Sequence, residues 1–159
     1  MTNGVLPLLR AASAADLTSL VALDALVNHS PWSTKQYSDA LIEKDGTERI
    51  IVATFASVLV GFVVTAVVFE EASIYKMVVQ PSHQRQGIGR LLMSHALADA
   101  QSNGARQCFL EVRASNSPAI KLYRNMGFQV DGRRSDYYLT DFGREDAILM
   151  SMQLVCRCT

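Results

Sequence analysis

The run Gln84-Arg85-Gln86-Gly87-Ile88-Gly89-Arg90 concentrates residue types that can hold an anion. It falls between a stretch that reads as a strand and one that reads as a helix. A helix N-terminus presents backbone N–H groups without intrahelical partners, and the positive end of the helix dipole. Gly87 and Gly89 remove side chains that would keep a phosphate off those groups. Arg85 and Arg90 add charge. This is the make-up of a pyrophosphate cradle. It is not the nucleotide P-loop, which needs Gly-Lys-Ser/Thr. It is not a clean dinucleotide fingerprint, because Leu92 occupies the place of the third glycine. Taken alone, the run fits a glycine-rich helix start with solvated arginines equally well.

Other reactive side chains are scattered. His29, His83 and His95 have no spacing that suggests a Ser-His-Asp triad. His95 follows Leu91 and Leu92 by one helical turn. Three cysteines, Cys108, Cys156 and Cys158, are an odd number with no secretory signal before them, which predicts a reducing cytoplasm. Cys156-x-Cys158 supplies two ligands and no closed site, so no metal centre is expected. Cys108 lies in a strand and is expected to pack.

The elements that must position these residues follow from pattern. Leu6–Arg10 predicts a short strand, and Ser13 an N-cap for a helix through Leu17, Leu20, Val21 and Leu23. Pro31 stops that helix. Ser33 or Thr34 caps a second, ending at Asp45-Gly46. Ser73–Val79 is a strand closed by Pro81. A helix follows from about Gly87 to Ser102, with Ile88, Leu91, Leu92 and Ala96 on one face, ended by Asn103-Gly104. Gln107–Val112 is a strand. Ser117-Pro118 is an N-cap with proline at the first helical position, so a helix covers Ala119–Met126 before Gly127. Two last strands, Phe128–Tyr138 and Asp146–Leu154, flank a loop at Asp141-Phe142-Gly143. The order predicts a mixed α/β sheet.

The twenty residues from Ile50 to Phe69 carry no charge, a length that would suit a membrane-spanning helix. Eleven of them are β-branched, which favours two strands of a hairpin instead. The turn would fall near Ala56-Ser57, without the Asn-Gly or Asp-Gly that tight hairpins prefer.

At 159 residues, with 49% hydrophobic and 19% charged, the chain is expected to be one folded domain, its core about 6–154 and a short tail 155–159. Fifteen Lys+Arg balance fifteen Asp+Glu, so a broad basic face for nucleic acid is not expected. Residues 1–80 carry net −3 and residues 81–159 net +3. A small anionic ligand therefore belongs with the second half.

Met77-Val78-Val79-Gln80-Pro81 together with Gln84–Arg90 resembles the acetyl-CoA motif of the Gcn5-related N-acetyltransferases. Glu111-Val112-Arg113-Ala114-Ser115-Asn116, then Ala119-Ile120, Leu122-Tyr123 and Gly127-Phe128, is similar to the RimI-type branch. So are Pro31-Trp32-Ser33, Arg134–Tyr138 and Gly143–Ala147. The resemblance covers about residues 6–154. Lys76 departs from it, since many relatives have a small polar residue there, and the cysteine-bearing tail lies outside it.

The resemblance implies an α/β (α+β) fold, a mixed central sheet of six or seven strands flanked by about four helices. It implies acetyl-CoA as co-substrate and no metal. The pyrophosphate would lie on Arg85, Gln86, Gly87, Ile88, Gly89 and Arg90. Met77, Val78 and Val79 would contribute backbone groups, and Asn116 a hydrogen bond to the pantetheine arm. Glu111 would be the general base, directly or through water. Tyr123 would contact the cofactor as general acid. Glu111 lies in the apolar stretch Cys108–Val112, where partial burial would raise its pKa, and a phenol can donate to a thiolate. Read as plain structure, Glu111 is an outward-facing strand residue, Tyr123 a core aromatic beside Leu122 and Phe128, and Asn116 a cap beside Ser117. Trp32, Tyr37, Tyr137 and Tyr138 are candidates for an acceptor groove or for core packing.

The implied acceptor is a protein N-terminus, an alanine of a small-subunit ribosomal protein, in the cytoplasm and without nucleic acid or membrane as partner. A small amine such as a polyamine or an aminoglycoside is an alternative acceptor. A non-catalytic acyl-CoA-binding module is a third reading, against which the presence of both Glu111 and Tyr123 argues.

Overall fold

The computed structural model describes residues 4–42 and 46–154. In chain order it has β1 (Leu8–Ala11), a 3-10 turn (Ala14–Asp16), α1 (Leu17–Val27), α2 (Thr34–Ile42), β2 (Glu48–Phe55), β3 (Val58–Val68) and β4 (Glu71–Val79). A second 3-10 turn (Pro81–His83), α3 (Ile88–Ser102), β5 (Gln107–Arg113), α4 (Ser117–Met126), β6 (Gln129–Thr140) and β7 (Gly143–Gln153) complete it. The strands hydrogen-bond in the order β1-β2-β3-β4-β5-β7-β6. Parallel β4–β5 beside antiparallel β5–β7 and β6–β7 makes the sheet mixed, as expected. The chain divides into two compact units. One runs up to Thr65 and resumes over Lys76–Ala96; the other takes Ala66–Tyr75 and the chain from Leu97 onward.

The first unit packs Leu20 and Leu23 of α1 and Tyr37 and Ala40 of α2 against Ile50, Val52, Phe62, Val64 and Val78. Ser33 starts α2 through a reciprocal cap. The Gln36 N–H donates to Ser33 Oγ at 3.1 Å, and the Ser33 N–H to Gln36 Oε1 at 2.8 Å. The expected stop at Asp45-Gly46 falls partly outside the described residues, as do Cys156 and Cys158. The uncharged run forms the hairpin β2–β3, and among the described residues no helix is long and apolar enough to cross a membrane. Its turn is made by Ala56 and Ser57, both at positive φ, 46° and 68°. These are the dihedral signs of the tight hairpin turn, reached without glycine. Gly61 in β3 has a different reason. A Cβ there would lie 3.0 Å from the Val78 carbonyl oxygen and 3.2 Å from Leu92, so a side chain would make both neighbours give way by a few tenths of an ångström.

In the second unit β5 pairs with β4 from Glu71↔Gln107 to Ile74↔Leu110, and with β7 along its whole length. The helix α4 starts at Ser117, two residues before the expected Ala119. Its N-cap is Asn116, whose Oδ1 accepts the Ala119 N–H at 3.3 Å, and Ser117 is already helical. Gly127, at φ 110°, closes the helix in the left-handed region. The hairpin β6–β7 is longer than expected at both strands and is bulged. Arg134 pairs with Ala147 but Tyr138 with Glu145, so β6 carries extra residues there. The Asp146 carboxylate fixes this bulge, accepting from the Asp136 N–H and from Arg133, each at 3.0 Å.

Candidate active site

The loop before α3 has the form an anion needs. Arg85 and Gly87 both have left-handed φ, 61° and 83°. Such residues turn successive N–H groups toward one side, the arrangement of an anion-binding nest. The Leu91 N–H closes on the Gly87 carbonyl at 3.0 Å. The N–H groups of Ile88, Gly89 and Arg90 therefore precede the first intrahelical bond of the helix. Arg85, Gln86 and Arg90 are exposed, while Ile88 is buried and anchors the turn to the core. Gln84 Nε2 donates to the Val79 carbonyl at 3.1 Å and ties the loop to the end of β4. In β4 itself Val78 is buried and Met77 and Val79 are half-buried, so Val78 packs and the other two face the opposite side.

The second unit carries the acid–base candidates. Glu111 of β5 keeps about a third of its side chain exposed, and Oε1 lies 3.2 Å from Arg134 of β6. That pair reaches over β7, where Arg113 and Arg134 both register with Ala147. Arg113 lies 3.0 Å from Glu145 and 4.5 Å above the Tyr138 ring. Arg134 lies 4.8 Å above Tyr137, whose ring meets Tyr138 edge-on at 4.9 Å. The bulge in β6 is what sets these two tyrosines side by side, a common role for bulges beside sites.

Tyr123 is buried and packs against Phe128 at 5.9 Å. The plain-structure expectation of a core aromatic beside Phe128 therefore holds as geometry. Burial, with a smaller contribution from Tyr138, pushes its phenol up to about 12. The hydroxyl thus keeps its proton throughout the neutral range and is a hydrogen-bond donor there. Burial followed by the charge of Glu111 pushes Tyr138 up to about 12. The Glu111 charge thus acts on Tyr138, and Tyr138 on Tyr123. Asn116 uses its side-chain oxygen as the cap and retains its amide N–H groups as donors.

Sequence reading did not find the Arg134–Glu111 pair. Arg134 stood in a recognised run, but its partner is visible only once β7 is known to lie between β5 and β6. Cys108 is buried, and burial pushes its thiol up to about 12, away from nucleophilic use. Among the described residues no group of three or more His, Cys, Asp or Glu is placed to hold a metal ion.

The model of the acetyltransferase (GNAT) family matches residues 16–128. The ribosomal protein bS18-alanine N-acetyltransferase of Escherichia coli (strain K12) is 35% identical over 139 residues, 87% of this chain and 92% of that one. The crystal structure of the ribosomal-protein-S18-alanine N-acetyltransferase from Escherichia coli superposes with a TM-score of 0.86 at 31% identity, covering 97% of this chain and 99% of that one. Arabidopsis thaliana NAA60, crystallised in complex with acetyl-CoA, shares the fold at a TM-score of 0.84 and 19% identity, covering 93% and 98%. With a family model across most of its length and a relative of this identity, the chain is a member of the acetyltransferase (GNAT) family.

Proposed function

We propose that this protein transfers the acetyl group of acetyl-CoA to the N-terminal α-amine of an alanine-starting protein, a small-subunit ribosomal protein, in the cytoplasm. The observation that carries the reading is the 35% identity, over 87% of the chain, to a protein named for that reaction. The left-handed loop at Arg85 and Gly87, and Glu111 held by Arg134, support it.

In this reading the nest and helix N-terminus at residues 85–90 hold the pyrophosphate. Backbone groups of Met77–Val79 and the Asn116 amide hold the pantetheine arm. The thioester supplies the acyl group. Glu111, directly or through water, takes a proton from the acceptor amine. The amine nitrogen forms the new bond to the acetyl carbon and the carbon–sulfur bond breaks. The Tyr123 hydroxyl donates to the departing sulfur. Tyr137 and Tyr138, set beside Glu111 by the bulge, line the acceptor side. A protein α-amine has a pKa of about 7.7–8.0 against about 10.4 for lysine, so roughly a third of it is already neutral at pH 7.5.

Two experiments follow. The first compares kcat/KM for an alanine-starting peptide, the same peptide blocked at its N-terminus but carrying lysine, and free alanine. The open peptide should be fastest, and a preference for the blocked lysine peptide refutes the reading. The second measures CoA binding by calorimetry. Gly87→Val places a β-branched residue at φ 83°, a strain of roughly 1–3 kcal/mol, and should weaken CoA about tenfold or more. Arg85→Ala should do less and flatten the salt dependence. Equal affinity in wild type and Gly87→Val would return the loop to a plain helix start.

A further inference from the structure

Glu145, in the run Gly143–Ala147, stands near the start of β7 and takes no part in the chemistry proposed above. Its side chain is only 20% exposed. One carboxylate oxygen accepts the Ser115 backbone N–H at 3.2 Å, and the other accepts Arg113 Nη1 at 3.0 Å. The hydrogen bond from Ser115, and after it the one from Arg113, holds the carboxyl below its usual range, so it is an ionised acceptor throughout neutral pH. Ala114 and Ser115 form the turn between β5 and α4. The Ala114 N–H donates to the Asp146 carbonyl at 3.0 Å, and the Asn116 N–H to the Arg113 carbonyl at 2.9 Å. The Ser115 N–H between them goes to a side chain of another strand, not to a backbone carbonyl.

Asn116 is the next residue. Its Oδ1 is committed to the Ala119 N–H at 3.3 Å. With the oxygen fixed, the direction of the amide N–H groups is set by the backbone that carries them. That backbone follows the Ala114–Ser115 turn, which Glu145 pins from β7. Arg113 keeps a second acceptor, the Leu139 carbonyl at 3.2 Å, and its place over the Tyr138 ring. Loss of the Glu145 carboxylate therefore falls on the Ser115 corner more than on the β6–β7 hairpin.

We propose that Glu145 is a positioning residue for the cofactor: from β7 it fixes the Ser115 corner, and through it the Asn116 amide that meets the pantetheine arm. The proposal deepens the acetyl-CoA reading above and rests on it. Hydrogen bonds from a backbone N–H to a carboxylate are among the stronger kinds, which suits a single side chain holding an exposed turn.

The test uses the full-length chain and two probes, CoA and its phosphoadenosine diphosphate half, which lacks the pantetheine arm. Calorimetry should find CoA weakened about tenfold in Glu145→Ala, the scale of a misplaced contact. The armless half should bind within about twofold of wild type, because residues 85–90 are unaltered. KM for acetyl-CoA should rise with the CoA dissociation constant, and kcat at saturation should fall less. Glu145→Gln keeps an acceptor for the Ser115 N–H and should recover most of the CoA affinity. The Ser115 amide should exchange faster with solvent in Glu145→Ala than in wild type. Wild-type CoA affinity in Glu145→Ala overturns the proposal, as does an equal loss for both probes. If Glu145→Ala fails to fold, Glu145→Asp decides, since its carboxylate is withdrawn from Ser115 by one methylene. The same split between the probes supports the proposal, and wild-type binding of CoA overturns it. A wild type that binds no CoA refutes the functional reading instead. The Ser115 amide exchange then still decides whether Glu145 holds the turn.

Discussion

Tyr123→Phe is expected to lower kcat by about 10²–10⁴-fold, the usual cost of removing a general acid, with little change in fold. The ring stays, so the packing on Phe128 stays. What disappears is the hydroxyl that burial holds protonated, with its pKa up at about 12. Because that value lies far above neutral, the phenol is in its donating form from pH 6 to 9, and Tyr123 should contribute no limb to the pH–rate profile there. Glu111→Gln is expected to lower kcat by a similar factor. Gln can still accept from Arg134 but cannot take a proton. Steady-state kinetics across pH on both variants, with circular dichroism for the fold, checks this. Near-wild-type turnover in both would make Glu111 a surface ion-pair residue and Tyr123 a core aromatic.

Asp24→Ala is expected to destabilise the protein by about 3–5 kcal/mol, because it leaves the buried Lys76 ammonium without its partner. For a chain of this size that is a fall in Tm of roughly 6–20 °C. Burial alone would push Asp24 up. The hydrogen bonds from Asn28, Tyr37, Lys76 and Trp32 outweigh it and hold the carboxyl below the usual range. The unfolded chain, with an aspartate near 3.9, therefore takes up the proton first as pH falls. The stability from Asp24 is complete above about pH 4 and is lost as pH falls through the folded value. Urea melts of wild type and Asp24→Asn at pH 7 and pH 3 test the sign. The gap between them should be wide at pH 7 and narrow at pH 3, and a gap that does not narrow refutes the assignment.

Much of this architecture could be read from local pattern. The β-branched run from Ile50 to Phe69 forms two strands because stiff, branched side chains suit the pleat. The helix starting at Ile88 and the stop at Gly127 follow from glycine placement and helical periodicity. One local detail escaped. The hairpin turn uses Ala56 and Ser57 at positive φ, a conformation that ordinary residues adopt only when the flanking ladder imposes it. Of the two residues read as caps for α4, Ser117 and Asn116, it is Asn116 that holds a helical N–H, that of Ala119. The larger gaps are long-range. Asp24 and Lys76 are 52 residues apart, and neither position alone hints at a buried pair. Glu111 and Arg134 meet only because β7 inserts between their strands. Charge partners across a sheet depend on strand order, which no window of sequence contains.

The packing at Gly61 reaches further than the sheet interior. Its missing methyl leaves room for the Val78 carbonyl, for Leu92 and, at 3.5 Å, for Ile88, the first residue of α3. Ile88 is also where the turn before α3 enters the core. An alanine at position 61 would press on the Val78 carbonyl near the end of β4 and on Leu92 of α3, the two elements that the turn joins, although it bears no reactive group. Sequence drift at position 61 is thus constrained by β4 and α3 together, and a census of tolerated substitutions would group this silent strand residue with Val78 and Leu92.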